Sequence, residues 1–230
     1  MPHDHHDHDH GHDHAPGSLS PSGHPYRADQ DGPLTRAQAL EIAVRELMIE
    51  KGLVTADEIA AAIARMQART PAMGAAVVAR AWTDPDYKAR LIADGRAAAQ
   101  ELGADIEAMH LLVVENHAQT HNVVVCTLCS CYPRFLLGPP PDWYKQRAYR
   151  SRVVIEPRRV LGEFGLDLAE DVTVRVHDST ADMRYLVLPA RPEGTEGWSE
   201  EALAALVTRD CMIGVAVPRL PDPAPVAAAE

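Results

Sequence analysis

VCTLCSCY, residues 125–132, gathers Cys126, Cys129 and Cys131, and only Cys211 adds a fourth cysteine to the 230-residue chain. The block follows a short β-rich run, HNVVVC (121–126), which places the thiols on a loop at a strand end. Several ordinary uses of clustered cysteines fit poorly. Structural zinc takes four Cys or His ligands, usually as two separated pairs, and here the C-x-x-C pair has no second pair. An iron–sulfur cluster wants a fourth nearby cysteine, and Cys211 lies 80 residues beyond Cys131. Thioredoxin-type chemistry needs a helix to start on the C-x-x-C, and Pro133 arrives too early for it.

Ligation through the backbone accounts for the spacing. If Cys129 and Cys131 bind one ion through sulfur, the amide nitrogens of Ser130 and Cys131 lie between them. Fused five- and six-membered chelate rings then give an equatorial plane of two sulfurs and two nitrogens. Cys126 comes round on the turn as an axial fifth ligand, and a sixth position stays open. Ser130 contributes chiefly a small residue with an N–H to lose, which proline could not supply. Deprotonated amides call for a trivalent Lewis acid, so Co(III) or Fe(III) fits better than zinc. Three thiolates and two amidates carry excess negative charge, which thiolate oxygenation and nearby arginines would relieve. Arg134, Arg147, Arg150 and Arg152 are the candidates close in sequence.

Outward from the block, the chain divides. Upstream, Thr35 with Gln38 and Thr55 with Glu58 read as capping boxes of two helices. The first carries Leu40, Val44, Leu47 and Met48 up to Gly52, the second Ala60, Ile63 and Met66. A third helix follows Pro71, and a fourth starts at Asp84-Pro85 and is expected to run to Gly103. From His110 the texture turns to short strands: HLLVVE (110–115), HNVVVC, the alternating VTVRVHDS (172–179), MRYLVLP (183–189) within hairpin reach of it, and MIGVAVP (212–218). A short helix starts at Ser199, with Glu200 and Glu201 in its first turn. The expected fold class is α+β: a tail over 1–34, a helical lobe over 35–103, a layered α/β/β/α body over 104–218 carrying the metal loop, and a tail over 219–230. Trp82, Trp143 and Trp198 are expected as packing anchors, and Cys211 as a buried structural thiol.

Bulk properties exclude other classes. The net charge of −11 argues against nucleic acid. No apolar run approaches the roughly 20 residues of a membrane helix, and the polar N-terminus lacks a signal-peptide core, so the expected location is the cytoplasm. The first 14 residues, MPHDHHDHDHGHDH, hold seven of the twelve histidines. They read either as a solvated or tag-like segment without catalytic role, or as a weak multi-site buffer for divalent metal.

VCTLCSCYP resembles the metal-binding motif of the nitrile hydratase α subunit. The likeness extends through LVVENHAQTHNVVVCTLCSCYP, PPPDWYKQRAYRSRVVIEPRRVL, TADMRYLVLPARPEGTEGWSEEAL and LVTRDCMIGVAVP, and covers roughly residues 38–218. The resemblance implies ligation by Cys126 as thiolate, Cys129 as sulfinate, Cys131 as sulfenate, and the amides of Ser130 and Cys131. It implies catalytic roles for Cys129, Cys131 and, in the TAxxRY stretch, the acidic Asp182. Thr127 and Tyr132 resemble the cobalt-type branch, so one non-corrin Co(III) per chain is expected, with Fe(III) the alternative. The implied partners are a β subunit in αβ or α2β2 units, whose arginines hold the oxidised sulfurs, a metal-loading activator protein, and a nitrile that is hydrated to its amide. One departure matters. Arg134-Phe135 stands where many nitrile hydratases have Trp-Pro, and Arg there resembles the γ subunit of the related thiocyanate hydrolase, which opens hydrolysis of thiocyanate to carbonyl sulfide and ammonia as an alternative. A third expectation, from a different class, is a non-catalytic cobalt carrier. Against it, an amidate plane is built to hold metal rather than pass it on.

Overall fold

A computed structural model describes residues 33–106 and 109–221. The two capping boxes form as the sequence dictates. Thr35 caps α1 (Arg36–Glu50) and Thr55 caps α2 (Ala56–Gln67), with Gln38 and Glu58 reaching back to the cap amides at 2.8 Å each. Neither helix buries a side chain. Leu40 is 63% exposed, and Leu40, Val44, Met48, Val54 and Ile59 line an open apolar groove instead of a core.

The core begins with α3 (Ala72–Thr83), where Val77, Val78 and Ala79 have no exposed surface. The expected fourth helix is two helices, α4 (Pro85–Ala93) and α5 (Gly95–Glu101). Asp94 breaks it by leaving helical geometry (φ −145°, ψ 88°) and accepting the Ala97 N–H at 3.0 Å on its carboxylate. Gly95 then sits so close to the next element that a Cβ would lie 2.6 Å from the Leu111 carbonyl oxygen. The break thus lets α5 lie directly on β1 (His110–Glu115).

The strands pair in parallel. β1 pairs with β4 (Met183–Leu188), His110 opposite Met183, and β2 (Thr120–Val125) pairs with β3 (Thr173–Asp178), Val125 opposite Asp178. The expected hairpin of 172–179 with 183–189 does not form, because each strand takes a partner from earlier in the chain. Composition explains the choice. Val123–Val125 and Leu186–Leu188 are unbroken buried runs, the signature of strands covered on both faces in a parallel arrangement.

Between β2 and β3 run four short helices, α6 (Arg134–Leu137), α7 (Asp142–Lys145), α8 (Arg147–Arg152) and α9 (Pro157–Glu163). Trp143 anchors them, edge-on to Tyr144, Tyr149 and Phe164 with centroids 4.7–5.9 Å away. Trp82 donates its indole N–H to the Pro189 carbonyl at 2.8 Å. Ser199 caps α10 (Glu200–Ala204).

The last strand expected over 212–218 is instead α11 (Arg209–Ile213) followed by irregular chain. Thr208 caps it by accepting the Cys211 N–H, and Gly214 closes it in the left-handed region at φ 94°. Short apolar runs do not separate strand from helix, and the cap decides. One continuous core runs from Ala75 to Val215. No helix among the described residues is long and apolar enough to cross a membrane.

Candidate metal centre

The cysteine loop leaves the carboxyl end of β2, where Val125 and Cys126 have no exposed surface. β3 ends beside it, and Ser179 donates its N–H to the Val125 carbonyl at 2.7 Å. The loop therefore lies outside the carboxyl ends of two parallel strands, the usual crevice for sites in such sheets.

Asp178, the last residue of β3, grips the loop from below. Its carboxylate accepts the Thr127 N–H at 2.9 Å and the Thr127 hydroxyl at 2.5 Å. Arg150 donates to the Thr127 carbonyl at 3.2 Å from α8, so all three polar groups of Thr127 are engaged. Tyr144 donates its hydroxyl to the Cys131 carbonyl at 2.9 Å, and Tyr149 donates to the Val124 carbonyl at 2.7 Å. Burial pushes both phenols far up, so they stay protonated donors.

These clamps bring together what the sequence set out in a row. The three sulfurs lie within 4.8 Å of one another, with Cys126 and Cys129 Sγ 3.6 Å apart and Cys129 and Cys131 Sγ 3.3 Å apart. Cys129 also donates its N–H to Cys126 Sγ at 3.3 Å. Hydrogen bonding from the Cys131 thiol, and then from Cys126 and the Ser130 and Cys131 amides, holds the Cys129 thiol below its ordinary value. Burial and the thiolates beside it push Cys131 up to about 12, and only Arg184 opposes. Of these two thiols, Cys129 is the one whose thiolate the surrounding hydrogen bonds favour.

The donor set fits a single metal ion. Two sulfurs each about 2.3 Å from one ion are about 3.3 Å apart at a right angle and about 3.8 Å apart at a tetrahedral angle. The Cys129–Cys131 separation of 3.3 Å falls at the right-angle value and the Cys126–Cys129 separation of 3.6 Å nearer the tetrahedral one, so both pairs suit a shared ion. The amides of Ser130 and Cys131 already face the Cys129 sulfur. Buried Tyr132 Oη and Arg184 Nε, one adjoining Cys131 in the chain and one electrostatically coupled to it, have no hydrogen-bond partner among the described residues.

The remaining candidates divide. Of the four nearby arginines, Arg150 reaches the loop. Arg152 is buried and committed to Glu156 at 2.8 Å and to Glu163. The Arg134 side chain is exposed. Asp182 is exposed before β4; its carbonyl accepts the His110 N–H at 2.8 Å. Its carboxylate has no hydrogen-bond or ion-pair partner among the described residues. Cys211 is buried, its sulfur 3.1 Å from Thr208 Oγ1 and apart from the cluster. Sequence reasoning missed Asp178 and Arg184. The first carried a faint signal, an acid ending an alternating strand; the second is the arginine of the TAxxRY stretch, from which only Asp182 was taken.

The family model for the nitrile hydratase alpha chain matches residues 35–216. The chain belongs to that family. It is 48% identical over 184 residues to the low-molecular weight cobalt-containing nitrile hydratase subunit alpha of Rhodococcus rhodochrous, covering 79% of this chain and 89% of the relative. It is 46% identical over 194 residues to the thiocyanate hydrolase subunit gamma of Thiobacillus thioparus, covering 79% and 80%. A double mutant of the Fe-type nitrile hydratase from Comamonas testosteroni Ni1 superposes with a TM-score of 0.77 at 44% identity, over 85% of this chain and all of that one. The nitrile hydratase alpha family thus accounts for the α+β fold, with its short parallel strand pairs, and for the cysteine loop.

Proposed function

We propose that this chain is the metal-bearing α subunit of a cobalt-type nitrile hydratase, converting nitriles to amides. The observation that carries the reading is the trio of sulfurs at 3.3 and 3.6 Å in a chain 48% identical to a cobalt-containing nitrile hydratase subunit. Cys126, Cys129 and Cys131 would hold the ion through sulfur, and Ser130 and Cys131 through their amide nitrogens. A bound Co(III), or Fe(III) in its place, supplies Lewis acidity toward the nitrile or water. In the net reaction the oxygen of water joins the nitrile carbon, and both protons of water end on the nitrogen.

The protein's own part is positioning and charge. Asp178 and Arg150 fix Thr127, and so fix where Cys126 and Cys129 stand. Cys129 as sulfinate and Cys131 as sulfenate would spread the negative charge of the sulfurs onto oxygen. Arg184 supports this from the same chain by opposing the upward shift at Cys131. Asp182 presents an exposed carboxylate without a partner among the described residues, available to a substrate or to a partner's cation. Cys129 is exposed and Leu128 is 84% exposed, so the loop needs cover before water can be excluded. A β subunit, in αβ or α2β2 units, would supply that cover and further arginines, and an activator protein would load the metal. Four cysteines without a disulfide between them fit the reducing cytoplasm.

Elemental analysis of the complex with its partner tests the metal: about one cobalt per chain is expected, and stoichiometric zinc with neither cobalt nor iron would sink the reading. Arg134-Phe135, together with the 46% identity to a thiocyanate hydrolase subunit, supports a second reading, thiocyanate hydrolysis to carbonyl sulfide and ammonia. Assaying a short aliphatic nitrile and thiocyanate side by side on the same loaded preparation separates the two.

A further inference from the structure

Among the described residues the metal-binding chemistry is concentrated in one loop; the histidine-rich residues 1–14, read from sequence as a solvated segment or a metal buffer, lie outside them. The loop is held at its two ends by different means. At the entry, Thr127 is fixed through its N–H, hydroxyl and carbonyl by Asp178 and Arg150. At the exit, the Cys131 carbonyl accepts a hydrogen bond from the Tyr144 hydroxyl at 2.9 Å. Cys131 itself is only half-buried, and the stretch 126–133 forms neither helix nor strand. Its shape therefore depends on these side-chain contacts.

What distinguishes Tyr144 is the rigidity behind its hydroxyl. The residue has no exposed surface. Its ring stands edge-on to Tyr132 at 5.1 Å and to Trp143 at 5.9 Å, and lies tilted against Tyr149 at 5.7 Å. The ring is placed by two side-chain torsions, and three neighbouring rings restrict both. The hydroxyl oxygen is thus located by the core, not by the loop. Tyr132, the residue after Cys131, is packed into the same rings with 2% of its surface exposed. The loop therefore leaves Cys131 straight into a fixed aromatic wall. In the ligand set proposed above, Cys131 supplies two donors, its sulfur and its amide nitrogen, so a shift of its backbone moves both at once. We propose that Tyr144 is a positioning residue of the metal centre: by holding the Cys131 carbonyl it sets the Cys131 sulfur 3.3 Å from that of Cys129 and keeps the loop in its ligating shape. The role rests on the metal reading, because the position of this carbonyl matters to the centre only if Cys131 is a ligand.

Tyr144→Phe removes the hydroxyl and leaves the ring packing in place. Tyr87→Phe is the matched comparison: Tyr87 is 2% exposed and donates to the Ala98 carbonyl at 3.0 Å, between α4 and α5. Each variant loses one buried hydrogen bond, so their denaturant midpoints should fall by similar amounts. The complexes of native and variant chains with the partner subunit are loaded with cobalt and challenged with a chelator. Tyr144→Phe should release cobalt about three- to tenfold faster than native, the worth of one hydrogen bond lost from the bound state, and Tyr87→Phe at the native rate. The sulfur-to-cobalt absorption band should shift in Tyr144→Phe alone. A native release rate or an unshifted band in Tyr144→Phe overturns the proposal. So does equal acceleration in both variants, which would make the effect one of general stability. A native complex that holds no cobalt sinks the metal reading itself, and the positioning role with it.

Discussion

Thr127 occupies the middle of the cysteine loop and gives both its donors to Asp178. The sequence marked Thr127 only as a family feature; the structure supplies a physical reason for a hydroxyl there. Serine keeps both donors, valine keeps the N–H alone, and Asp178→Ala removes the acceptor of both. The predicted order of kcat/KM and cobalt retention is therefore native, then Thr127→Ser, then Thr127→Val, then Asp178→Ala. Both residues are exposed, so urea midpoints should move little, and a large loss of stability in Asp178→Ala without loss of metal would refute the clasp. Cys211 gives the contrasting case. It is 1% exposed and apart from the cluster, so Cys211→Ser should cost roughly 1–3 kcal/mol of stability while cobalt content and oxygenation at Cys129 and Cys131 stay native. Peptide mass spectrometry over 126–134 is expected to find two added oxygens at Cys129, one at Cys131 and none at Cys126.

At the scale of elements, the junction of α11 with β2 sets where the loop begins. Gly214 ends the helix at φ 94°, and a Cβ there would strike the Asn122 carbonyl in the middle of β2. Gly165 has φ 75° but nothing within 4 Å of a Cβ. Gly214→Ala should therefore cost about 3 kcal/mol or more, and Gly165→Ala about 1 kcal/mol of backbone strain. Denaturant midpoints of the two variants check the difference. The same junction carries a pH dependence. Burial holds the His121 imidazole below 6.5, with the Gly214 carbonyl partly opposing. As pH falls below about 6.5 the unfolded chain takes up a proton that folded His121 refuses, so stability is full above that pH and is lost through the folded value. The expected loss is at most about 1.4 kcal/mol per pH unit from this group, and His121→Gln should flatten the slope of the denaturation midpoint between pH 7 and pH 5 by that amount. An unchanged slope would count against it.

For the whole molecule, the notable imbalance is α1 and α2, two well-capped helices without one buried side chain. Capping stabilises their ends by about 1 kcal/mol each, whereas packing normally supplies most helical stability. Their apolar groove is thus expected to be completed by a partner. Leu40→Glu with Val44→Glu, both lining the groove at i and i+4, should weaken assembly with the β subunit by about tenfold or more, since each apolar face buried is worth over 1 kcal/mol. The unfolding midpoint of the isolated chain should hardly change, because both residues are already exposed. Sedimentation of the mixed subunits measures the first effect and thermal unfolding the second.

What the sequence determined by itself is local. Capping boxes, Pro85, the cysteine spacing and its chelate logic each depend on atoms a few bonds apart, and so they were legible in Thr35–Gln38, Thr55–Glu58 and Cys126–Cys131. What only tertiary structure decided is long-range. Parallel pairing of β2 with β3 joins residues more than fifty positions apart, so 172–179 and 183–189 looked like a hairpin until their true partners were in place. Asp178 gained its meaning only when that pairing set it beside Thr127, and Arg184 only when β4 brought it near Cys131. The run 212–218 read as a strand because short apolar stretches suit either state, and the close approach of Gly214 to β2 settled the matter. Local chemistry named the candidate metal ligands, and the fold supplied the groups that hold them in place.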